Sequence, residues 1–177
     1  MSYRTTVRGV LDALATSRTV DGEIAATDVE LGGQPYHFER PIRFEVTLTN
    51  AGTGIVATGH ASASVLTPCS RCLCDAHLDL DVEVDGFYVL PGHDADLPEE
   101  QEVELIADDL SIDLEPAVVA AVVVELPYAP LHDESCKGIC PVCGVDRNVV
   151  VCECVQEAAP SPFAVLGALM GNEDEEA

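Results

Sequence analysis

Ile55-Val-Ala-Thr-Gly-His-Ala-Ser-Ala-Ser-Val-Leu-Thr-Pro68-Cys69-Ser-Arg-Cys72-Leu-Cys74-Asp-Ala-His77-Leu-Asp-Leu-Asp-Val-Glu-Val-Asp-Gly-Phe-Tyr-Val-Leu90 is the stretch on which the fold turns. Ile55, Ala57, Ala61, Ala63 and Val65 alternate with Val56, Thr58, His60, Ser62, Ser64 and Leu66, the period of a strand with two distinct faces. The run stops at Pro68, which has no N–H to give to a ladder. A second run from His77 to Leu90 carries Leu78, Leu80, Val82 and Val84 on one face. Two long strands joined by a few residues read as a β-hairpin, and Cys69, Cys72 and Cys74 occupy its loop.

Upstream the same period continues. Gly22–Leu31 and Pro35–Leu48 read as strands, with Ile42, Phe44, Val46 and Leu48 alternating against Arg43, Glu45 and Thr47. Gly32-Gly33 is the turn between them. Gly32-Gly33-Gln34 also matches the catalytic tip of peptide release factors, but Pro35 and the acidic setting suit a plain hairpin turn rather than a tip that enters RNA. Asn50 to Gly54 is a further turn. Val7, Val10, Leu11 and Leu14 have helical spacing near the start. Downstream, Pro91 to Glu104 reads as a polar, acidic loop. Glu115-Pro116 suits the first turn of a helix despite the valines that follow, and Leu126-Pro127 ends it. Ser161-Pro162 opens another helix, with Phe163, Leu166, Leu169 and Met170 spaced to dock on the body, before an acidic tail from Asn172.

These readings predict an α+β fold: an antiparallel β-rich body of long twisted strands, barrel-like closure among its expected forms, a few short helices and a C-terminal zinc-knuckle hook. The expected organisation is an N-terminal segment over 1–20, the body with one buried helix over 21–130, a cysteine-rich zinc module over 131–156, and a docking helix with acidic tail over 157–177. No internal repeat is evident. No signal-peptide run and no long apolar run occurs in the chain, which predicts a cytoplasmic protein.

Five of the eight cysteines fall between Cys136 and Cys154, in Cys-Lys-Gly-Ile-Cys-Pro-Val-Cys-Gly-Val-Asp-Arg-Asn-Val-Val-Val-Cys-Glu-Cys. In a reducing compartment such crowding points to metal rather than disulfides. Cys140 and Cys143 stand one tight turn apart, and Cys152 and Cys154 supply a second close pair. Four thiolates suit a closed tetrahedral structural zinc site. Cys136 competes for one of the four places, so the ligands are four among Cys136, Cys140, Cys143, Cys152 and Cys154. His132 reads as a surface residue. Cys69 and Cys72 form a second pair with three open roles: a separate metal site with Cys74, a site shared with the distal stretch, or reduced thiols. Arg71 between them lowers a neighbouring thiol's pKa, which makes a thiol redox enzyme or sensor the rival reading.

Eight basic against 32 acidic residues leave a net charge of −24. Such a chain is repelled by nucleic-acid phosphates at long range, so RNA contact is at most local. The scarce cations Arg71, Lys137 and Arg147 beside the cysteines are therefore candidate partner-binding residues. No phosphate-cradling glycine loop, G-x-S-x-G elbow or H-E-x-x-H helix occurs. No catalytic residue and no small-molecule substrate is expected.

Taken in order, Cys69-Ser-Arg-Cys72-Leu73, Ser111-Ile-Asp-Leu114 before an apolar helix, Leu126-Pro127, Pro130-Leu-His132, Cys136-Lys-Gly-Ile-Cys140-Pro-Val-Cys143-Gly144, Cys152-Glu-Cys154 and Pro162-Phe-Ala-Val-Leu166 resemble the YceD-like family, the large ribosomal RNA subunit accumulation proteins. Asp146-Arg-Asn148 stands where relatives often show Asn-Leu-Asn. Some relatives lack the distal cysteines but keep the mid-chain pair, which implies separable clusters and argues against a shared site. The resemblance implies a cytoplasmic bacterial protein that supports accumulation of large-subunit ribosomal RNA, with no established reaction. In many genomes the family's gene neighbours that of a small large-subunit ribosomal protein. The expectation is a non-enzymatic ribosome-assembly factor with structural zinc, binding a basic ribosomal protein or a pre-ribosomal particle and no membrane. A generic zinc-stabilised interaction module is the other alternative.

Overall fold

The computed structural model describes residues 3–91 and 103–155. In chain order its elements are β1 (Arg4–Thr6), α1 (Arg8–Leu11), β2 (Ser17–Ile24), β3 (Val29–Leu31), β4 (Gln34–Phe38), β5 (Ile42–Asn50), β6 (Ile55–Pro68), β7 (Asp75–Val89), β8 (Glu104–Leu105), β9 (Ser111–Asp113) and α2 (Glu115–Glu125). The acidic loop expected over Pro91–Glu104 lies mostly outside the described residues, and the helix expected from Ser161 and the tail lie wholly outside them.

The hairpin read from residues 55–90 is the spine of the molecule. β6 and β7 pair antiparallel from Ile55 opposite Tyr88 to Pro68 opposite Asp75. β5 lies on the other side of β6, and β2 on the far side of β5. Near the tip β4 takes over beside β6, with His37 opposite Leu66, and carries β3 through the Gly32-Gly33 turn. β8 adds a short parallel pairing at Tyr88 and Val89.

The sheet order is β2-β5-β6-β7, and among the described residues β2 and β7 are not paired, so the barrel-like form expected is corrected to an open sheet. The reason lies in what covers the inner face. Ile42, Val46, Leu48, Ala57, Val82 and Val84 point into one core, and the opposite wall is made by Val7 and Val10 of the N-terminal segment, Ile112, Leu114, and Val118 and Val122 of α2. Burying those side chains removes the drive for the sheet to curl onto itself.

Helix α2 forms from a valine-rich run because Pro116 and Glu115 start it and Val118 and Val122, four apart, share the buried face. The Asp113 carboxylate accepts the Glu115 N–H at 3.1 Å. The N-terminal helix, expected over Val7–Leu14, is a single turn. The Ala15 N–H donates to the Asn50 carbonyl at 2.9 Å, and the Asn50 side-chain amide donates to the Ala13 carbonyl at 3.1 Å. These bonds swing the chain into β2 and leave Leu14 exposed. Among the described residues no helix is long and apolar enough to cross a membrane.

Gly59 lets β5 and β6 approach closely: a Cβ built there meets the Glu45 carbonyl oxygen at 2.0 Å and the Val46 Cα at 2.7 Å. Gly59→Ala is expected to destabilise by about 2–3 kcal/mol in urea unfolding, since a clash with backbone is not relieved by a rotamer change; a change within the error of the measurement would contradict that packing. Glu104 has its carboxyl held above the usual range, first by burial and then by the charge of Asp113. A raised folded-state pKa contributes stability below the unfolded value, about pH 4.3, and loses it as pH rises through the folded value. Glu104→Gln should therefore raise the melting temperature at pH 7 and not at pH 3; equal gains at both would remove this charge effect.

Candidate metal centres

The body delivers two distant parts of the chain to one place. Tyr36, Val65 and Leu126 make a small buried cluster beneath the hairpin's outer half. The Tyr36 hydroxyl donates to the Pro127 carbonyl and fixes the exit of α2. The segment after it then runs to the hairpin tip, where the Ser70 N–H donates to the Pro130 carbonyl at 2.8 Å.

The tip is a tight cysteine knuckle, and the described residues contain that turn twice. The Leu73 N–H donates to the Cys69 carbonyl at 2.9 Å, and the Gly144 N–H to the Cys140 carbonyl at 2.8 Å. The Cys69 N–H donates to the Cys74 carbonyl at 2.7 Å, and the Cys140 N–H to the Val145 carbonyl at 2.8 Å. In both turns the fifth residue has positive φ, 63° at Leu73 and 74° at Gly144. In both, the N–H groups two and three residues on are directed at the first sulfur. This arrangement converges two thiols on a point and favours a thiolate at the first.

The first cluster joins the tip to the C-terminal stretch. Cys69 and Cys72 meet His132 and Cys136, each offering one atom, all within 4.8 Å of one another. Cys69 Sγ is 3.8 Å from Cys136 Sγ. His132 Nδ1 is 3.3 Å from Cys72 Sγ and 3.5 Å from Cys69 Sγ. A tetrahedral zinc with ordinary arms needs sulfur–sulfur edges of about 3.8 Å and sulfur–nitrogen edges of about 3.5 Å, so the donor set fits. Burial raises the Cys69 thiol, but hydrogen bonds from His132 and from the Arg71 and Cys72 backbone outweigh it and bring it down to about 5. Cys72 is pushed up to about 12, first by its hydrogen bond with Cys74 and then by burial.

The second cluster is local to the distal stretch. Cys140, Cys143, Cys152 and Cys154 bring their sulfurs within the same 4.8 Å limit. Backbone N–H groups of Cys143 and Val142 lower the Cys140 thiol to about 6. Cys154 is pushed up to about 12, chiefly by its hydrogen bond to Cys143, and Cys152 is raised chiefly by Cys140. Each cluster thus holds one acidic thiol that its neighbours' protons lean on. A bound metal ion displaces those protons.

The structure divides the five distal cysteines: four stand together and Cys136 faces the hairpin pair. The shared arrangement that the resemblance argued against is the one observed for Cys69, Cys72 and Cys136. His132, read as a surface residue, is exposed, yet its ring nitrogen completes the first cluster. The signal for it was its place four residues before Cys136, a ligand-like spacing. Cys74 lies 2.9 Å from Cys72 Sγ, outside both sets and exposed to solvent.

The three basic residues have different surroundings. The Arg71 guanidinium donates to the Cys136 carbonyl at 2.9 Å and the Glu134 carbonyl at 3.4 Å, while its own carbonyl accepts the Ile139 N–H at 2.9 Å. Arg71 therefore fastens the tip to the stretch. Gly138, at φ 70°, makes this approach feasible, because a Cβ there would stand 2.9 Å from the Arg71 carbonyl oxygen. Lys137 and Arg147 are exposed. Asn148 links the parts: its side chain accepts the Lys137 N–H at 2.8 Å and its Nδ2 lies 3.4 Å from Cys136 Sγ.

Both clusters fall within the region recognised by a known family. The family model described as large ribosomal RNA subunit accumulation protein YceD matches residues 57–170. Uncharacterized proteins of Mycobacterium tuberculosis and Mycobacterium bovis are each 32% identical over 102 residues, 57% of this chain and 49% of theirs. An uncharacterized protein of Mycobacterium leprae is 28% identical over 109 residues, 62% of this chain and 50% of its own. The chain spans about half the length of the curated relatives it matches. No solved structure matches it.

Proposed function

The chain belongs to the YceD family of large ribosomal RNA subunit accumulation proteins, and from that membership we propose that it is a non-enzymatic, cytoplasmic ribosome-assembly factor supporting accumulation of the large-subunit RNA. The observation that carries the non-enzymatic part is the make-up of the clusters. Each offers four donors from the protein itself, which leaves no position for a substrate or an activated water once zinc is held. Zinc in the first cluster would fasten the cysteine-rich stretch to the hairpin tip, and zinc in the second would hold that stretch in shape.

The partner class follows from charge. At −24 the protein approaches a basic ribosomal protein, alone or within a pre-ribosomal particle, faster than it approaches bare RNA. Depleting the protein in its source cell should lower large-subunit RNA relative to small-subunit RNA, and the purified protein should capture basic ribosomal proteins at physiological salt. Unchanged RNA ratios on depletion, or tight binding of naked large-subunit RNA with no capture of ribosomal proteins, would contradict the proposal.

The thiol redox reading has less support. Cys69 is fully buried, so a disulfide substrate cannot reach its sulfur, and the neighbouring donors are placed as ligands.

A further inference from the structure

Among the described residues, one long edge of the sheet is left largely unpaired. β7 pairs with β6 from Asp75 to Tyr88 on one side; among the described residues its other side meets only β8, at Tyr88 and Val89. The Val89 carbonyl accepts the Ile106 N–H on that open side at 2.8 Å. Backbone groups alternate sides along a strand, so Asp81, Glu83 and Asp85, in the same phase as Val89, direct their N–H and C=O groups outward to this edge. Their side chains occupy the solvent face of the sheet. Among the described residues none of these three carboxylates has an ion-pair partner, whereas Asp79 is met by Arg40. Beside the edge runs a groove of about 670 Å³, with Ala117, Ala120 and Val124 of α2 on one side and Phe87 on the other.

We propose that the β7 edge from Asp81 to Phe87 is a docking site for an extended, lysine- and arginine-rich segment of a basic protein. The segment adds as a further strand beside β7 and sets alternate basic side chains opposite Asp81, Glu83 and Asp85. This rests on the proposed function, whose basic partner it equips with a surface.

Three features select this occupant. The carboxylates recur every second residue, about 6.8 Å apart, which is the repeat of an added strand. The outward backbone groups supply the ladder that strand addition uses. On the opposite face of the sheet, the small apolar side chains of α2 leave room for the side chains that intervene between the basic ones. The same carboxylates repel an acidic strand or a phosphate backbone, and they guard the open edge against pairing with a second copy of this acidic chain.

The test uses the full-length, metal-bound protein and two probes: a synthetic peptide alternating lysine and threonine, and salt-extracted large-subunit ribosomal proteins. The expected result is that peptide binding shifts the amide signals of Asp81, Glu83 and Asp85 and slows their hydrogen exchange. The double charge reversal Asp81→Lys with Glu83→Lys should weaken binding of both probes by about tenfold or more, as loss of paired charges at an interface does. Glu83→Pro, which deletes an outward N–H that β6 does not use, should weaken it while Glu83→Gln largely spares it. Capture of ribosomal proteins with the charge-reversal variant binding like the wild type overturns the edge site and leaves the proposed function standing. Peptide binding at the edge with no ribosomal protein captured overturns the partner class and leaves the edge site. Shifts of the same amides by large-subunit RNA, or peptide-induced shifts confined to other surfaces, overturn the edge site.

Discussion

Cys69→Ser is expected to lower bound zinc from two ions per chain to one and to release the segment around His132 and Cys136 from the hairpin tip. Cys69 is fully buried, and its sulfur stands 3.8 Å from Cys136 and 3.5 Å from His132, so a hydroxyl there offers a poor ligand with no room for a water to replace it. Binding to a structural zinc site is worth about 10–16 kcal/mol in zinc-finger peptides near neutral pH, so a crippled site loses its ion at ordinary zinc concentrations. What then holds the tip to the stretch is a handful of hydrogen bonds: Ser70 to Pro130, Ile139 to Arg71, and Arg71 to Cys136. Each is worth about 1 kcal/mol and cannot order the segment alone. Metal analysis and amide exchange over residues 130–140 check this. Two ions retained, with unchanged protection, would contradict it.

Cys143→Ser should behave differently because its cluster is drawn from residues 140–154 alone. One ion is lost again, but the hairpin cluster keeps its four donors. Protection should fall from Ile139 to Val150, where Cys140, Arg147, Val149 and Val150 make the local backbone bonds, and persist in β6 and β7. Loss of both ions from this variant would show that the two clusters are coupled rather than independent.

Local pattern carried much of this fold. The alternation of Ile42 to Leu48 and the two runs flanking Cys69 appear as β5, β6 and β7, because a strand with one buried face writes its period into the chain. The acidic residue and proline before the valines marked α2, where strand propensity pointed the other way. What could not be seen was tertiary. Whether the sheet closes depended on Val118, Val122 and Ile112 arriving over its inner face. Which site takes Cys136 depended on the chain returning to the hairpin tip after α2, guided by Tyr36 and Pro127. The repeated knuckle was hidden by side chains: Leu73 holds the conformation that Gly144 holds in the second turn, and Cys74 stands where the second turn has Val145. His132 escaped because an exposed lone histidine carries no burial signal.

We propose an arrangement of two separate metal centres, the first tying the hairpin tip to the C-terminal stretch. Native alkylation of the intact protein, read by mass spectrometry beside its metal content, tests it most directly. Two zinc ions per chain and rapid labelling at Cys74 alone are expected, with all eight cysteines labelled once metal is chelated and the chain denatured. One ion per chain, with Cys69 and Cys72 labelled while the cysteines from Cys136 to Cys154 resist, would contradict it.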